Sequence, residues 1–370
     1  MKKSMNISGG QMYWTLFAFE VGNTLLLTMT SAIREGKQDA WMAMGVAGGG
    51  GILIALIATR LSVMYPNQTV IEYSRTILGT WPGKVIVIPF LLQWYVDIGV
   101  IMRDFGDFII TALFHNTPIW GVVLLTLLVV VYLVIQGGPE GIGRCSEVIG
   151  PVILLMIVVL IALDFGNIEW RELFPVYVDS GWRAIAKGST MPLSFFGESM
   201  MILMLTAFLK NPQTQAMKAV WGVATATALA CLATIAVIAT FGAELSSRMW
   251  YPFFSLTRFI SIMEFIQNVD SIFVIVWFTS MFIKLSVYVF VASYGTAQWL
   301  NIQNWRKVLW VVAPFGFITA LSIKNVQVDV PQYYMRMYWI PFVLPINMIG
   351  IPLLLLIIGL LRSRTSPSRR

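Results

Sequence analysis

A lysine stands in the middle of a long apolar run, Trp277-Phe278-Thr279-Ser280-Met281-Phe282-Ile283-Lys284-Leu285-Ser286. At the centre of a bilayer an ammonium costs about 2.5 to 3.5 kcal/mol on insertion scales, so it requires a counter-charge, water or a neutral state. Either end of the run is too distant for easy snorkelling. Three carboxylates lie at comparable depth in other apolar runs. Glu20 opens Glu20-Val21-Gly22-Asn23-Thr24, Glu198 lies in Phe195-Phe196-Gly197-Glu198-Ser199, and Asp97 begins a cluster with Arg103, Asp104 and Asp107. At about 100° per residue Asp97 and Asp104 share a helix face, while Arg103 and Asp107 form an i,i+4 pair. Asp97 is nearest mid-depth and the other three approach the outer end. Residues of this kind support recognition of a small solute, or coupling to protons through Asp97, Glu198 or Lys284. They do not support covalent catalysis: no Ser/His/Asp or Cys/His arrangement is present, and no pair of carboxylates marks an active site. No enzyme is expected. Cys145, Cys231 and the single His115 have no ligand spacing, so no metal and no cofactor are expected.

Two of these runs are interrupted alike. Around Gly22 and around Gly197 a glycine stands beside a carboxylate and a small polar residue, at a similar depth from the start of each run. Unwound backbone in a bilayer exposes N–H and C=O groups, which protein, water or a ligand must satisfy. Equivalent breaks in the first and sixth of ten helices point to two inverted five-helix repeats, about 12–165 and 190–361, with half-helix ends aimed at a central site. The expected ligand-binding residues are Glu20, Val21, Gly22, Asn23, Thr24, Asp97, Phe196, Gly197, Glu198, Ser199 and Lys284. The competing reading is that Gly22 and Gly197 only let helices approach closely.

The elements that carry these residues are membrane helices. Hydrophobic residues make up 58% of the 370, charged residues 12%, and the mean hydropathy is +0.77, too few charges to cover a water-soluble globule of this size. Apolar runs long enough for a core of roughly 30 Å recur. The expected spans are 12–32, 41–63, 84–113, 119–137, 147–165, 190–209, 217–241, 270–299, 307–323 and 338–361, in a single transmembrane domain over 1–370. With both termini cytoplasmic, the inside segments, including Lys2, Lys3, Arg144, Lys210, Arg306, Lys307 and the tail Arg362, Arg364, Arg369 and Arg370, hold more of the 25 basic residues than the outside. The net charge of +7 is therefore a topology signal, and no nucleic-acid partner is expected. Glu244 to Asp270, aromatic and broken by Pro252, is expected at the interface or in an outer vestibule. Gly48 to Gly51 lacks a following Lys-Ser/Thr and reads as close helix packing rather than a phosphate loop.

Several short segments, in order, resemble the spore germination permease family, the B subunits of nutrient germinant receptors within the amino acid-polyamine-organocation transporter superfamily. They are Gly36-Lys37-Gln38-Asp39-Ala40-Trp41, Tyr65-Pro66-Asn67-Gln68-Thr69-Val70-Ile71-Glu72-Tyr73 with Leu78-Gly79, Phe196-Gly197-Glu198, Tyr251-Pro252-Phe253 and Asp270-Ser271-Ile272-Phe273-Val274. The resemblance implies ten helices in two inverted repeats and a pocket between spans 1, 3, 6 and 8 for an amino acid or similar nutrient. It also implies the spore inner membrane as location, and an A subunit and a lipoprotein C subunit as partners. Where the family usually has a small residue before the first break, this chain has Glu20-Val21, which adds a negative charge beside the pocket. In sodium-coupled members of the superfamily an ion sits between the first and eighth spans; Lys284 is expected to be a resident cation there, tying those spans together.

Overall fold

Ser8 starts the first helix by a reciprocal cap: its Oγ accepts from Gln11 N at 3.1 Å while its own N–H donates to Gln11 Oε1 at 2.9 Å. The computed structural model describes residues 5–260 and 269–365. Lys2, Lys3, residues 261–268 of the expected vestibule segment, Arg369 and Arg370 lie outside the described residues. Among the described residues there is no β-strand, only an isolated bridge between Ile7 and Leu209 that ties the N-terminus to the end of the sixth expected span.

The first interrupted run comprises α1 (Gly9–Asn23), a π-helical turn Thr24–Thr28 and α2 (Met29–Gly36). Lys37, with φ 51°, turns the chain into a short 3₁₀ segment, and α3 (Ala40–Met64) follows. A second reciprocal cap, Thr69 with Glu72, opens α4 (Val70–Leu78). Gly79 at φ 96° leads into α5 (Thr80–Ile86), then α6 (Ile88–Ala112). Gly138, at φ 52° and ψ −150°, kinks α7 (Ile119–Leu163) just before Pro139, where the missing N–H already weakens the helix.

The second half begins with α8 (Gly181–Phe196), tightens into a 3₁₀ turn Gly197–Met201, and continues as α9 (Ile202–Leu205) and α10 (Pro212–Gln215). Then come α11 (Met217–Ser246), α12 (Pro252–Phe259), α13 (Asp270–Leu300) and α14 (Leu309–Ser322). The chain ends in α15 (Val326–Val328), a wide π-helical stretch Asp329–Gly350, and α16 (Ile351–Thr365). All ten expected spans fall on helical residues along most or all of their length. Among the described residues seven helical stretches are long and apolar enough to cross a membrane, and the chain is a multi-pass helical membrane protein. Two of the seven are very long: Gly9–Met64, turned at Lys37, and Ile119–Asn167, kinked at Gly138.

Small residues set the core. α1 packs on α11, α7 and α13, and α3 packs on α8 and α11. The four-glycine run is a packing device, as expected. A Cβ on Gly48 would stand 1.9 Å from Thr227 Cγ2, on Gly50 2.4 Å from Leu193 Cδ1, and on Gly51 2.5 Å from Phe196 Cβ. Thus α3 lies against α8 at the residues just before Gly197.

Candidate functional site

Lys284, on α13, forms an ion pair with Glu198 Oε2 at 2.5 Å, and both side chains are almost wholly buried. Its Nζ also lies 4.8 Å from the centre of the Phe19 ring and 5.5 Å from that of Phe195, so two aromatic faces share the ammonium. The expected tie between the first and eighth spans therefore takes another form. Lys284 reaches the sixth expected span, and α1 is held to α13 through backbone, by Ser280 Oγ donating to Ala18 O at 2.5 Å. The physical reason is contact: Gly22 brings α1 so close to α13 that a Cβ there would lie 2.2 Å from Ser280 Oγ.

Glu20 interacts electrostatically with Lys284 and Glu198, yet both its carboxylate oxygens are buried without a hydrogen-bond partner among the described residues. The same holds for Asn23 Oδ1 and Thr24 Oγ1. Buried polar atoms in folded proteins are nearly always paired, with protein, water or ligand, so these four make the turn a candidate for the site. Asp97 is half supplied: its Oδ1 has a donor, while its Oδ2 is buried without a hydrogen-bond partner among the described residues. Tyr334 OH donates to its Oδ1, the Tyr288 phenol faces both Asp97 and Glu198, and Gln93 stands beside it, fixed by Asn347 Nδ2 donating to Gln93 Oε1 at 2.8 Å. Tyr288 stacks on Phe19, with ring centroids 5.6 Å apart. Four of the expected residues, Glu20, Asp97, Glu198 and Lys284, thus form one buried network.

The interruptions differ from unwound backbone. Asn23 and Thr24 keep right-handed helical angles, φ −69° and −60°, and the turn after them widens; at Gly197 (φ −66°) the helix tightens instead. Val21, Gly22, Phe196 and Gly197 are buried in packing. Gly197 faces Met348, whose Sδ would lie 2.5 Å from an added Cβ, and Ser199 Oγ donates to Gly51 O at 3.1 Å. A change of winding shifts which carbonyls are engaged and preserves helical backbone, so the glycines serve close approach.

Outside this network lies a cavity of about 140 Å³, bounded by Leu27, Thr30, Ser31, Arg34, Asp104, Met191, Phe195, Trp250, Tyr251, Val326, Val330, Pro331 and Met335. Larger cavities of about 460 to 470 Å³ beside α7 and α13 have no charged side chain in their walls, and two others of about 460 and 520 Å³, walled by Asp329 and by Glu72 and Arg75, do not reach Phe195 or Lys284. We regard the smaller one as the candidate site because Phe195 is its wall and also a platform for Lys284. Asp104 contributes a mostly buried carboxylate that makes no hydrogen bond to the described residues. Burial, followed by the charges of Asp104 and Asp107, pushes the Tyr251 phenol up, so it stays protonated and able to donate. Sequence reasoning placed Asp104 near the outer end without assigning it to a site. The signal that could have found it was its shared face with Asp97. The expected Arg103–Asp107 contact is replaced: Arg103 Nη2 donates to Lys324 O at 3.1 Å, and among the described residues no contact ion pair joins it to Asp107.

Two motif segments act as clamps at opposite ends of the expected spans. Asp39 Oδ2 accepts from Tyr177 N at 2.9 Å and from Ser180 Oγ at 2.5 Å, while Gln38 Nε2 donates to Pro175 O at 2.9 Å; together they fasten the 168–180 connection over α2 and α3. Thr69 Oγ1 donates to Gln298 Oε1 at 2.6 Å, and Arg75 Nη2 donates to Gln298 O at 3.0 Å, fixing the end of α13. Thr30 Oγ1 donates to Met249 O at 2.8 Å and Arg34 Nε to Ser247 O at 2.9 Å, which hold the segment carrying Trp250 and Tyr251 over the cavity.

A family model described as spore germination protein matches residues 6–328. The chain belongs to that family. Spore germination protein YndE of Bacillus subtilis (strain 168) is 28% identical over 281 residues, 74% of this chain and 76% of the relative. Spore germination protein KB of the same strain is 26% identical over 321 residues, 86% of this chain and 84% of the relative. Among solved structures, a nucleobase-cation-symport-1 family transporter, in a closed conformation with bromovinylhydantoin bound, is similar with a TM-score of 0.67 at 11% identity, covering 100% of this chain and 95% of the other. A substrate-bound, outward-open Na⁺-coupled sialic acid symporter has a TM-score of 0.65 at 10% identity, covering 95% of this chain and 80% of the other. The chain therefore has the fold of these transporters.

Proposed function

We propose that the chain is the nutrient-sensing, permease-like subunit of a spore germinant receptor. In this reading a small amine-bearing solute, an amino acid or similar molecule, occupies the cavity at Asp104 and triggers germination. The observation that carries it is the set of unpartnered buried oxygens of Glu20, Asn23 and Thr24, beside a charged network whose Lys284 shares the Phe195 ring with the cavity. Left without a partner each would cost on the order of 1–3 kcal/mol, which favours a solute or water that reaches them. The carboxylate of Asp104 among Phe195, Trp250 and Tyr251 suits an ammonium, which gains from both the charge and the aromatic faces. Relatives named as spore germination proteins, one of them KB, support the germination role. We further place the chain in the spore inner membrane with A and lipoprotein C subunits as partners, with ten crossings in two inverted five-helix repeats and both termini inside.

Proton-coupled amino acid transport is the second reading, favoured by the transporter structures to which the fold is similar. The test is a dose–response of germination in spores carrying Asp104→Asn, with chain abundance followed by immunoblot. Loss of the carboxylate should raise the nutrient concentration for half-response by about tenfold or more, the equivalent of roughly 1.4 kcal/mol of binding. An unchanged dose–response at normal abundance would remove Asp104 from the site. Accumulation of labelled amino acid by vesicles containing only this chain would decide for transport.

A further inference from the structure

We infer that Lys284 is a two-position latch, holding Glu198 in the arrangement seen here and passing to Glu20 when Phe195 is displaced. The inference deepens the proposed function and rests on it only for what displaces Phe195. Lys284 has a partner in place, Glu198 Oε2 at 2.5 Å, and a second in waiting, Glu20, fully buried with both oxygens unpartnered and in electrostatic range of the same ammonium. Asp97 is no competitor: its Oδ2 is also unpartnered, but Tyr334 already donates to its Oδ1, and the charge that acts on it is Glu198, not the Lys284 ammonium that acts on Glu20.

The surroundings of the ammonium suit such an exchange. Its two aromatic neighbours belong one to each side: Phe19 precedes Glu20 in α1, and Phe195 precedes Glu198 at the end of α8. The α1–α13 contact is the fixed part, locked where Gly22 meets Ser280 and Ser280 donates to Ala18 O. Lys284 lies one turn further along α13, on a four-methylene stem, so it can change carboxylates without moving α1 against α13. The α8 side is what it would release. One buried ammonium–carboxylate pair exists before and after, and the carboxyl group left outside the pair changes from Glu20 to Glu198. An exchange that conserves the number of ion pairs keeps two states close in free energy, which a solute of ordinary affinity needs in order to shift them. Phe195 supplies the connection, because one side of its ring walls the cavity and the ammonium lies against the ring.

The test uses the full-length chain in intact cells, with Cys145→Ser and Cys231→Ser and a single reporter, Ser31→Cys, in the cavity wall. The rate of labelling by a membrane-impermeant maleimide reports how open that wall is, and no nutrient is added. Glu198→Gln should release the ammonium to Glu20, free Phe195, and change the labelling rate by about tenfold. Adding Glu20→Gln to it should bring the rate back to within about twofold of the parent, because the alternative partner has gone. No change with Glu198→Gln, or a change that persists in the double variant, would overturn the latch. If Glu198→Gln does not accumulate, Glu198→Asp, which draws the carboxylate back by one methylene, should shift labelling in the same direction to a smaller degree, again reversed by Glu20→Gln; failure of that reversal counts equally against it. Since labelling is read without nutrient, failure of the latch and failure of the solute reading at Asp104 are distinguishable.

Discussion

Two ion pairs in this chain have the same length and opposite meaning. Lys284–Glu198 and Arg144–Glu140 are each 2.5 Å apart, but the first pair has side chains 1% and 4% exposed and the second 70% and 31%. In water the charges of Arg144 and Glu140 are screened and compete with hydration, so their proximity contributes little. In the interior each charge has lost its hydration, so either one without a partner is a large liability. Distance alone does not identify a functional charge. Burial, and what else shares the space, does.

The comparison can be broken most severely at the buried pair. Lys284→Met should cost roughly 3–5 kcal/mol by stranding Glu198, and Lys284→Met with Glu198→Gln should recover most of that loss, measured by thermal unfolding of the detergent-solubilised chain. A double variant as unstable as the single would mean that packing, and not an uncompensated charge, sets the cost. At the other end of the scale, Arg144→Ala should change stability by less than about 1 kcal/mol in the same assay, and high salt should erase even that difference. A loss comparable to that of Lys284→Met would undo the contrast.

How much of this was legible in the sequence follows from the same physics. A lysine within an apolar run announces itself because nothing but a specific partner reconciles it with lipid, and Lys284 was readable for that reason. Which carboxylate it takes was not readable. Glu20, Asp97 and Glu198 lie at similar depth, and the choice depends on helix rotation and on the approach set by Gly22 against Ser280, which no single run encodes. The glycine beside each carboxylate marked the second change of winding, which begins at Gly197, but not the first, which begins at Thr24 after α1 has run unbroken through Gly22. Their form was hidden, since widening after Asn23 and tightening at Gly197 depend on what each helix packs against. Asp104 was seen as a charge near the outer end, but its role beside Phe195 and Tyr251 needs the fold that brings α6, α8 and the 247–251 segment together. The Gly36 to Trp41 motif was likewise visible without its purpose, the clamp of Asp39 on residues 177 and 180.

The central claim is that the Lys284–Glu198 pair serves signalling rather than holding the helices together. Spores whose chain carries both Lys284→Met and Glu198→Gln separate the two, because the double change leaves neither charge of that pair stranded and should keep abundance near normal. Their germination in rich medium, followed by loss of optical density alongside an immunoblot, is the direct measurement. The account predicts a chain present at normal level and a nutrient response lost or displaced by at least about tenfold in concentration. A normal response over the whole nutrient range at unchanged abundance would contradict it.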